Sequence, residues 1–443
     1  MRYPSMKYLT PLVLGSLLML SGCSGGSEDQ QTASDTGDKP SADSKTVISL
    51  WWDVAGGRDD PLYAGWYRLL DRYQQLHPEV SFDTQSLPYD QMRQKMTNAV
   101  MAGNPPDVVI GLDSWLPDLY RMNALPDLSS DIAQWPESKQ IYDSVWSALT
   151  INQEIIAFPL YVGLRATLYH HDDLDRAGIE APPETWQQLL TMAPQLKESG
   201  VKYPYGISTD AARGPQELAI YLWGNDLSIA TRKGEGRYRN DWQDDPATLA
   251  RASEVFGFYR DLLDSGAIGR VQANWSYQDL DQNLALGNVA ITQDGSWISE
   301  YTQTNPDSMA DLRVGGVPVY NRTPVTFLEV RPGITFRKSP HHEAAVEFLK
   351  WADSAEAQRL YAANRSPRRD VVVDDQWGKG FSALIQYGRS WPPVPLGAIN
   401  KAMSEAIQRV LIGDSSPRDT AIWLSDQINQ SLKDNGLFAE SGS

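Results

Sequence analysis

The sequence predicts an α/β protein made of two domains. Near its start, β-branched and aromatic runs alternate with amphipathic stretches in the order strand, helix, strand, helix, strand, the pattern of a parallel sheet with crossover helices. Behind a polar N-terminal stretch lie about 400 residues, too many for one hydrophobic core. The composition, 41% hydrophobic and 21% charged, is that of a folded water-soluble chain.

Thr46 to Trp52 is a continuous β-branched and aromatic run, as expected of a strand buried on both faces. Leu62, Trp66, Leu69, Leu70 and Tyr73 then recur at helical spacing, and Pro78 closes the segment. Val80 to Leu87 reads as a second strand, Tyr89 to Met101 as a helix ending near Gly103, and Asp107 to Leu112 as a third strand. In such sheets ligands bind at the carboxyl ends of the strands, which points to Asp53 to Asp60 and Leu112 to Trp115. Farther on, Thr185 with Gln188 three residues later is a capping box, opening an amphipathic helix through Trp186, Leu189, Leu190 and Ala193. Ala345, Phe348, Leu349 and Ala352 form another helical stripe, as do Ala402, Ala406 and Val410. Gly224 to Asp245, polar and Gly-containing, reads as an exposed excursion.

The N-terminus carries its own signals. Residues 1–22 read as an export signal, with Arg2 and Lys7 before an apolar run from Leu9 to Leu20. That run is too short for a permanent span. It leads into Leu20-Ser21-Gly22-Cys23, and Cys23 is the only cysteine, so no internal disulfide is available. These four residues resemble a bacterial lipobox, which implies that Cys23 becomes the lipidated first residue of the mature chain. Residues 23–44 are Ser, Gly, Asp, Gln, Thr and Lys with almost nothing apolar, the composition of a flexible tether. The formal net charge of −17 argues against nucleic acid or an anionic membrane surface as partner, since both require a basic face.

With these elements in place, the order of motifs resembles the family 1 extracellular solute-binding proteins, the maltose-binding-protein-like group. The resemblance rests on Trp51-Trp52-Asp53, Met101 to Val109, and Phe158-Pro159 followed by Leu168 to Leu174. It continues through Pro182 to Trp186, Gly287 to Ala290 leading to Gly295-Ser296-Trp297, Pro332-Gly333-Ile334, and Ala344 to Leu349 with Ser354 to Gln358 behind them. It implies a two-lobed periplasmic-binding-protein-like fold of type II, each lobe a mostly parallel sheet flanked by helices, with a hinge between. By analogy lobe 1 takes residues 45–160 and 318–350, and lobe 2 takes 161–317 and 351–443. It further implies a monomer, lipid-anchored in the periplasm or at the cell surface, that captures a sugar or oligosaccharide and delivers it to the permease subunits of an ABC transporter, without cofactor or metal. Maltodextrin binders of this group carry an acidic residue after the first crossing. Here the chain reads Pro159 to Arg165 with none, which puts maltodextrin itself in doubt.

A sugar offers hydroxyls at its ring edge and C–H groups on its faces. Its site therefore needs charged partners at the edge and an aromatic plate beneath. Asp53 and Arg58 follow the first strand, and Asp113 and Trp115 follow the third; Tyr161 and Arg165 lie at the crossing and Arg331 precedes a Pro-Gly turn. The resemblance adds Trp297 against the ligand and Trp391 in a Pro-rich loop facing the cleft. Asp53 and Asp113 suit helix capping equally well, Arg331 suits a structural ion pair, and Trp51 and Trp186 belong to the core. Arg58, Arg165 and Arg331 together would favour an acidic sugar, a polyol phosphate or another non-neutral solute. A glycoside-active enzyme would need two paired carboxylates, and no motif pairs them. His170-His171 and His341-His342 lack zinc spacing.

Overall fold

The computed structural model describes residues 45–440 except 55, 60–63, 235 and 414. The export signal, Cys23, the tether and Leu62 lie outside the described residues.

Ten strands build two sheets. In chain order they are β1 (Thr46–Trp52), β2 (Val80–Ser86), β3 (Val108–Ile110), β4 (Phe158–Leu164), β5 (Ala166–His170), β6 (Tyr203–Gly206), β7 (Val289–Asp294), β8 (Leu312–Gly316), β9 (Thr326–Ile334) and β10 (Gly388–Arg389). The first sheet runs β10-β9-β3-β1-β2, with β4 also paired to β9, and the second runs β8-β5-β7-β6. β1 pairs in parallel with β2 and β3, as the alternating pattern requires, and β9 returns antiparallel against β3 and β4. In the second sheet β7 is parallel to β6 and antiparallel to β5, and β8 is antiparallel to β5.

The chain passes between the sheets three times. β4 hands over to β5 through the single residue Arg165, the stretch 317–325 returns the chain to β9, and 390–396 leads from β10 into the helix Gly397–Leu411 against the second sheet. This is the two-lobed α/β architecture expected. Ile48, Leu50 and Trp52 of β1 are buried beside Leu69, Leu70 and Tyr73. Ala252, Phe256, Met403, Ile407 and Leu424 pack over the second sheet.

The local signals appear where the spacing placed them. Helices form at Ala64–Leu76, Tyr89–Met101, His342–Ala352 and Gly397–Leu411. At Trp186–Glu198 the Thr185 hydroxyl accepts from the Gln188 amide at 3.3 Å while the Gln188 side chain accepts from the Thr185 amide at 3.1 Å. Trp186 is buried and stacks on Phe258 at 4.3 Å.

Three expectations change. β1 is buried on one face only, and Trp51, on the other, is half-buried under the Lys95 ammonium at 4.5 Å. The segment 224–245 is not simply an exposed excursion. It forms a small hairpin, Thr231–Gly234 with Arg237–Arg239, but Ile229, Tyr238 and Trp242 are buried and the Trp242 indole donates to the Ser228 carbonyl at 2.7 Å. Its polar composition hid aromatic anchors. Helix Ala355–Tyr361, placed by analogy with lobe 2, packs on Ala64–Leu76 of the first sheet. The contact is close because Gly65 has no side chain: a Cβ there would sit 2.9 Å from the Leu360 carbonyl oxygen.

Asp107, His341 and His170 are held in structural hydrogen bonds. Asp107 accepts from the Ser49 amide at 2.8 Å, the Ser49 hydroxyl at 2.9 Å and the Ser339 hydroxyl at 2.6 Å, with the His341 ring 3.2 Å away. His170 is held between Asp311 and the Leu284 carbonyl. No cluster of metal-ligating side chains occurs among the described residues.

A candidate sugar slot between the lobes

The carboxyl end of β1 carries Asp53 into a cavity of about 230 Å³. It is lined by Asp53, Trp66, Tyr161 and Tyr361 from the first lobe, by Arg365, and by Trp297 and Glu300 from the turn after β7. Aromatic faces cluster on one side: the Trp66 ring centroid is 4.5 Å from Tyr361 and 5.8 Å from Tyr161. The polar side is made of pairs. Arg331 donates to Asp53 at 2.6 Å, and Arg365 donates to Glu300 at 3.0 Å. Burial raises the Tyr161 pKa, and Arg331 and Arg365 stand 5.6 and 5.8 Å from its ring. Tyr161 thus offers a neutral hydroxyl.

Trp297 owes its position to the glycine two residues before it. A Cβ at Gly295 would lie 1.8 Å from the Trp297 ring, so the indole can fold over this backbone only where the side chain is a hydrogen. Beyond the ring stand two guanidiniums, Arg165 at 4.5 Å and Arg213 at 5.1 Å. Arg213 pairs with Asp281 and, at 3.0 Å, with Asp294. Arg165 donates to Gln216 and lies 4.0 Å from Glu329. Burial lowers Arg165 to about 10, still cationic at neutral pH, and this arrangement favours the electron-rich indole face.

Of the nine candidates, Asp53, Tyr161 and Trp297 line this cavity. Arg331 and Arg165 stand behind it, the first as the partner of Asp53 and the second as a cation on Trp297. Asp113 is buried in a separate cavity of about 40 Å³ that shares no lining residue with the slot, and it accepts from the Val330 amide at 3.2 Å. Burial, reinforced by Glu329, pushes its carboxyl up to about 8, so it is protonated at neutral pH. Asp113 opens a short 3-10 turn whose N-cap is Leu112, with no side-chain cap bond.

The other three are elsewhere. Arg58 is exposed, paired with Asp71 at 2.5 Å and set 5.0 Å from the Tyr67 ring. Trp115 is buried because its ring folds over Gly111, where a Cβ would meet it at 3.1 Å. Trp391 packs on Phe327 at 5.1 Å and lines a different cavity. Trp66, Glu300, Tyr361 and Arg365 were missed. Trp66 reads as part of a helical apolar stripe, and the other three carry no local signal.

Curated relatives and solved structures resemble the chain over most of its length. A binding protein of Brucella abortus is 20% identical over 352 residues, covering 77% of this chain and 83% of its own. The GacH receptor of Streptomyces glaucescens, solved unliganded and with acarbose, superposes with a TM-score of 0.73 at 20% identity, covering 88% of this chain and 99% of that one. A sugar-binding MalE of Xanthomonas citri gives 0.77 at 18% identity over 88% and 98% of the chains. A solute-binding protein of Thermotoga lettingae bound to α-D-tagatose gives 0.71 at 21% identity over 88% and 100%. With the model of that family matching residues 58–359, the chain belongs to the bacterial extracellular solute-binding proteins.

Proposed function

We propose that this protein captures a neutral sugar or short oligosaccharide in the slot between its lobes and delivers it to the permease of an ABC transporter. The observation that carries the reading is the composition of the slot: an aromatic wall of Trp66, Tyr161, Tyr361 and Trp297 facing the carboxylates of Asp53 and Glu300. Ring faces pack against sugar C–H groups, and carboxylates accept charge-assisted bonds from hydroxyls. The three relatives solved as sugar or acarbose binders support the same ligand class.

Neutrality follows from the pairing of charge. The three arginines whose convergence would favour an acidic ligand are each engaged with a carboxylate: Arg58 with Asp71, Arg165 with Glu329 and Arg331 with Asp53. An acid entering this slot would meet Asp53 and Glu300 first.

Ligand contacts from both sides would shift the population toward a closed form, by no more than the ligand's differential affinity for the two states. Binding returns the sugar intact, so incubation with oligosaccharides leaves no hydrolysis product. Lipidation at Cys23, with anchoring in the periplasm or on the cell surface, is part of the proposal. Mass spectrometry of the exported protein, showing a chain starting at an acylated Cys23, tests it. A thermal-shift screen across neutral, acidic and amino sugars tests the ligand class. Under this reading only neutral sugars raise the melting temperature through the slot, and Trp297→Ala abolishes the rise. A rise from neutral sugars that survives that substitution overturns it.

A further inference from the structure

A larger cavity of about 510 Å³ shares no lining residue with the sugar slot. One wall comes from the first lobe, with Ser147 and Thr150 beside Asn152 at the tip of a small hairpin. Asn152 and Gln153 both hold positive φ, 50° and 74°, a tight turn that Gln rarely enters and that sets both amides at the cavity. The opposite wall comes from the second lobe, with Arg232 on its own hairpin, and the floor comes from the third crossing, with Arg389 and Trp391.

Among the described residues two arginines and no aspartate or glutamate line this cavity, in a chain of 56 acidic and 39 basic residues; the small cavity that shares Ser147, Thr150 and Trp391 with it adds Asp113, held protonated. The hydrogen bonds of the two arginines go to neutral acceptors. Arg232 donates to the Asn152 side chain at 3.3 Å, across the cavity from lobe to lobe, and to the Gly234 carbonyl at 3.1 Å. Arg389 donates to the Ser228 hydroxyl at 3.0 Å and lies 5.2 Å over the Trp223 ring. A guanidinium carries five donors, so both keep N–H groups to offer.

We infer that this cavity is a second ligand site, for a small molecule carrying a phosphate or carboxylate group. Its anionic end bridges Arg232 and Arg389, and its flat apolar face lies on Trp391. Two guanidiniums from different walls match an oxyanion by paired charge-assisted bonds. The hydroxyls of Ser147 and Thr150 and the Asn152 and Gln153 amides supply the polar remainder. The inference is independent of the neutral ligand assigned to the slot. Because the walls belong to different lobes, occupancy also bears on the angle between them.

The test is a thermal-shift titration of the purified protein with inorganic phosphate, glucose 6-phosphate, glucuronate and glucose, against sodium chloride at matched ionic strength. A ligand at about a hundred times its Kd raises the melting temperature of a chain this size by about 3 °C. We expect that rise from at least one of the three anions, persisting in Trp297→Ala and lost in Arg232→Gln/Arg389→Gln. Should the double variant fail to fold, Arg232→Gln alone, on an exposed hairpin, decides the matter by the same loss. The inference is overturned if none of the anions exceeds chloride, if the rise survives the arginine substitutions, or if Trp297→Ala removes it.

Discussion

Replacing Asp113 with asparagine removes a carboxyl that the fold keeps protonated. The side chain is buried at the end of β3, with Glu329 close by, and its pKa stands at about 8 against an ordinary 3.8. The folded state therefore holds a proton that the unfolded state releases between about pH 4 and 8. Stability linked to this proton is fully present below the unfolded value and is lost as pH rises through the folded one. At about 1.4 kcal/mol per pKa unit the ceiling is about 6 kcal/mol. Relaxation around the ionised carboxylate leaves about half of that. The asparagine keeps an oxygen that can accept from the Val330 amide, and it cannot ionise. Urea unfolding followed by tryptophan fluorescence at about pH 5, 7 and 9 should show the wild type losing about 2 kcal/mol relative to Asp113→Asn across that range, the first pH unit of the loss lying below pH 5. Parallel pH profiles, differing by under about 1 kcal/mol, would refute the reasoning.

The remaining expectations address the slot and the frame. Gly295→Ala places a methyl 1.8 Å from the Trp297 ring and expels it; titration calorimetry with the sugar found by screening should show affinity down at least about tenfold, about 1.4 kcal/mol, and an unchanged affinity removes Trp297 from the site. Glu300→Gln breaks the half-exposed pair with Arg365, an interaction of about 0.3–1 kcal/mol. Because the carboxylate is also assigned to a sugar hydroxyl, the same titration should show affinity down about tenfold or more, and an unchanged affinity removes Glu300 from the ligand's contacts. Arg368 is fully buried, forked onto Asp370 with two 2.8 Å bonds and bonded to Glu137 at 2.9 Å and the Asp353 carbonyl at 2.7 Å. Arg368→Met leaves the buried Asp353 carbonyl without its donor while the partly exposed Glu137 and Asp370 regain water, and it should cost about 1–3 kcal/mol in urea unfolding, whereas an unchanged stability shows the network to be dispensable.

The five helices read from the sequence and the parallel β1, β2 and β3 were legible because their causes are local. A capping box spans three residues, as Thr185 and Gln188 do, and an apolar stripe repeats within four, as at Ala345, Phe348 and Leu349. The tight fold of a tryptophan over a nearby glycine is equally local, yet its outcome was not legible. The same device buries Trp115 on Gly111 and leaves Trp297 at the slot.

What the sequence by itself determined was the α/β class and the order of its elements, with Asp53 at the end of the first strand, where it lines the cavity. Only the tertiary structure decided which charges are already engaged. Arg331 finds Asp53 across 278 positions, and Arg365 finds Glu300 across 65. It also parted Arg389 and Trp391 from the slot and set them in one cavity with Arg232, where no acid lies among the described residues. Periodicity and capping depend on neighbours within one turn, but whether a guanidinium is free to meet a ligand depends on what distant chain folds beside it.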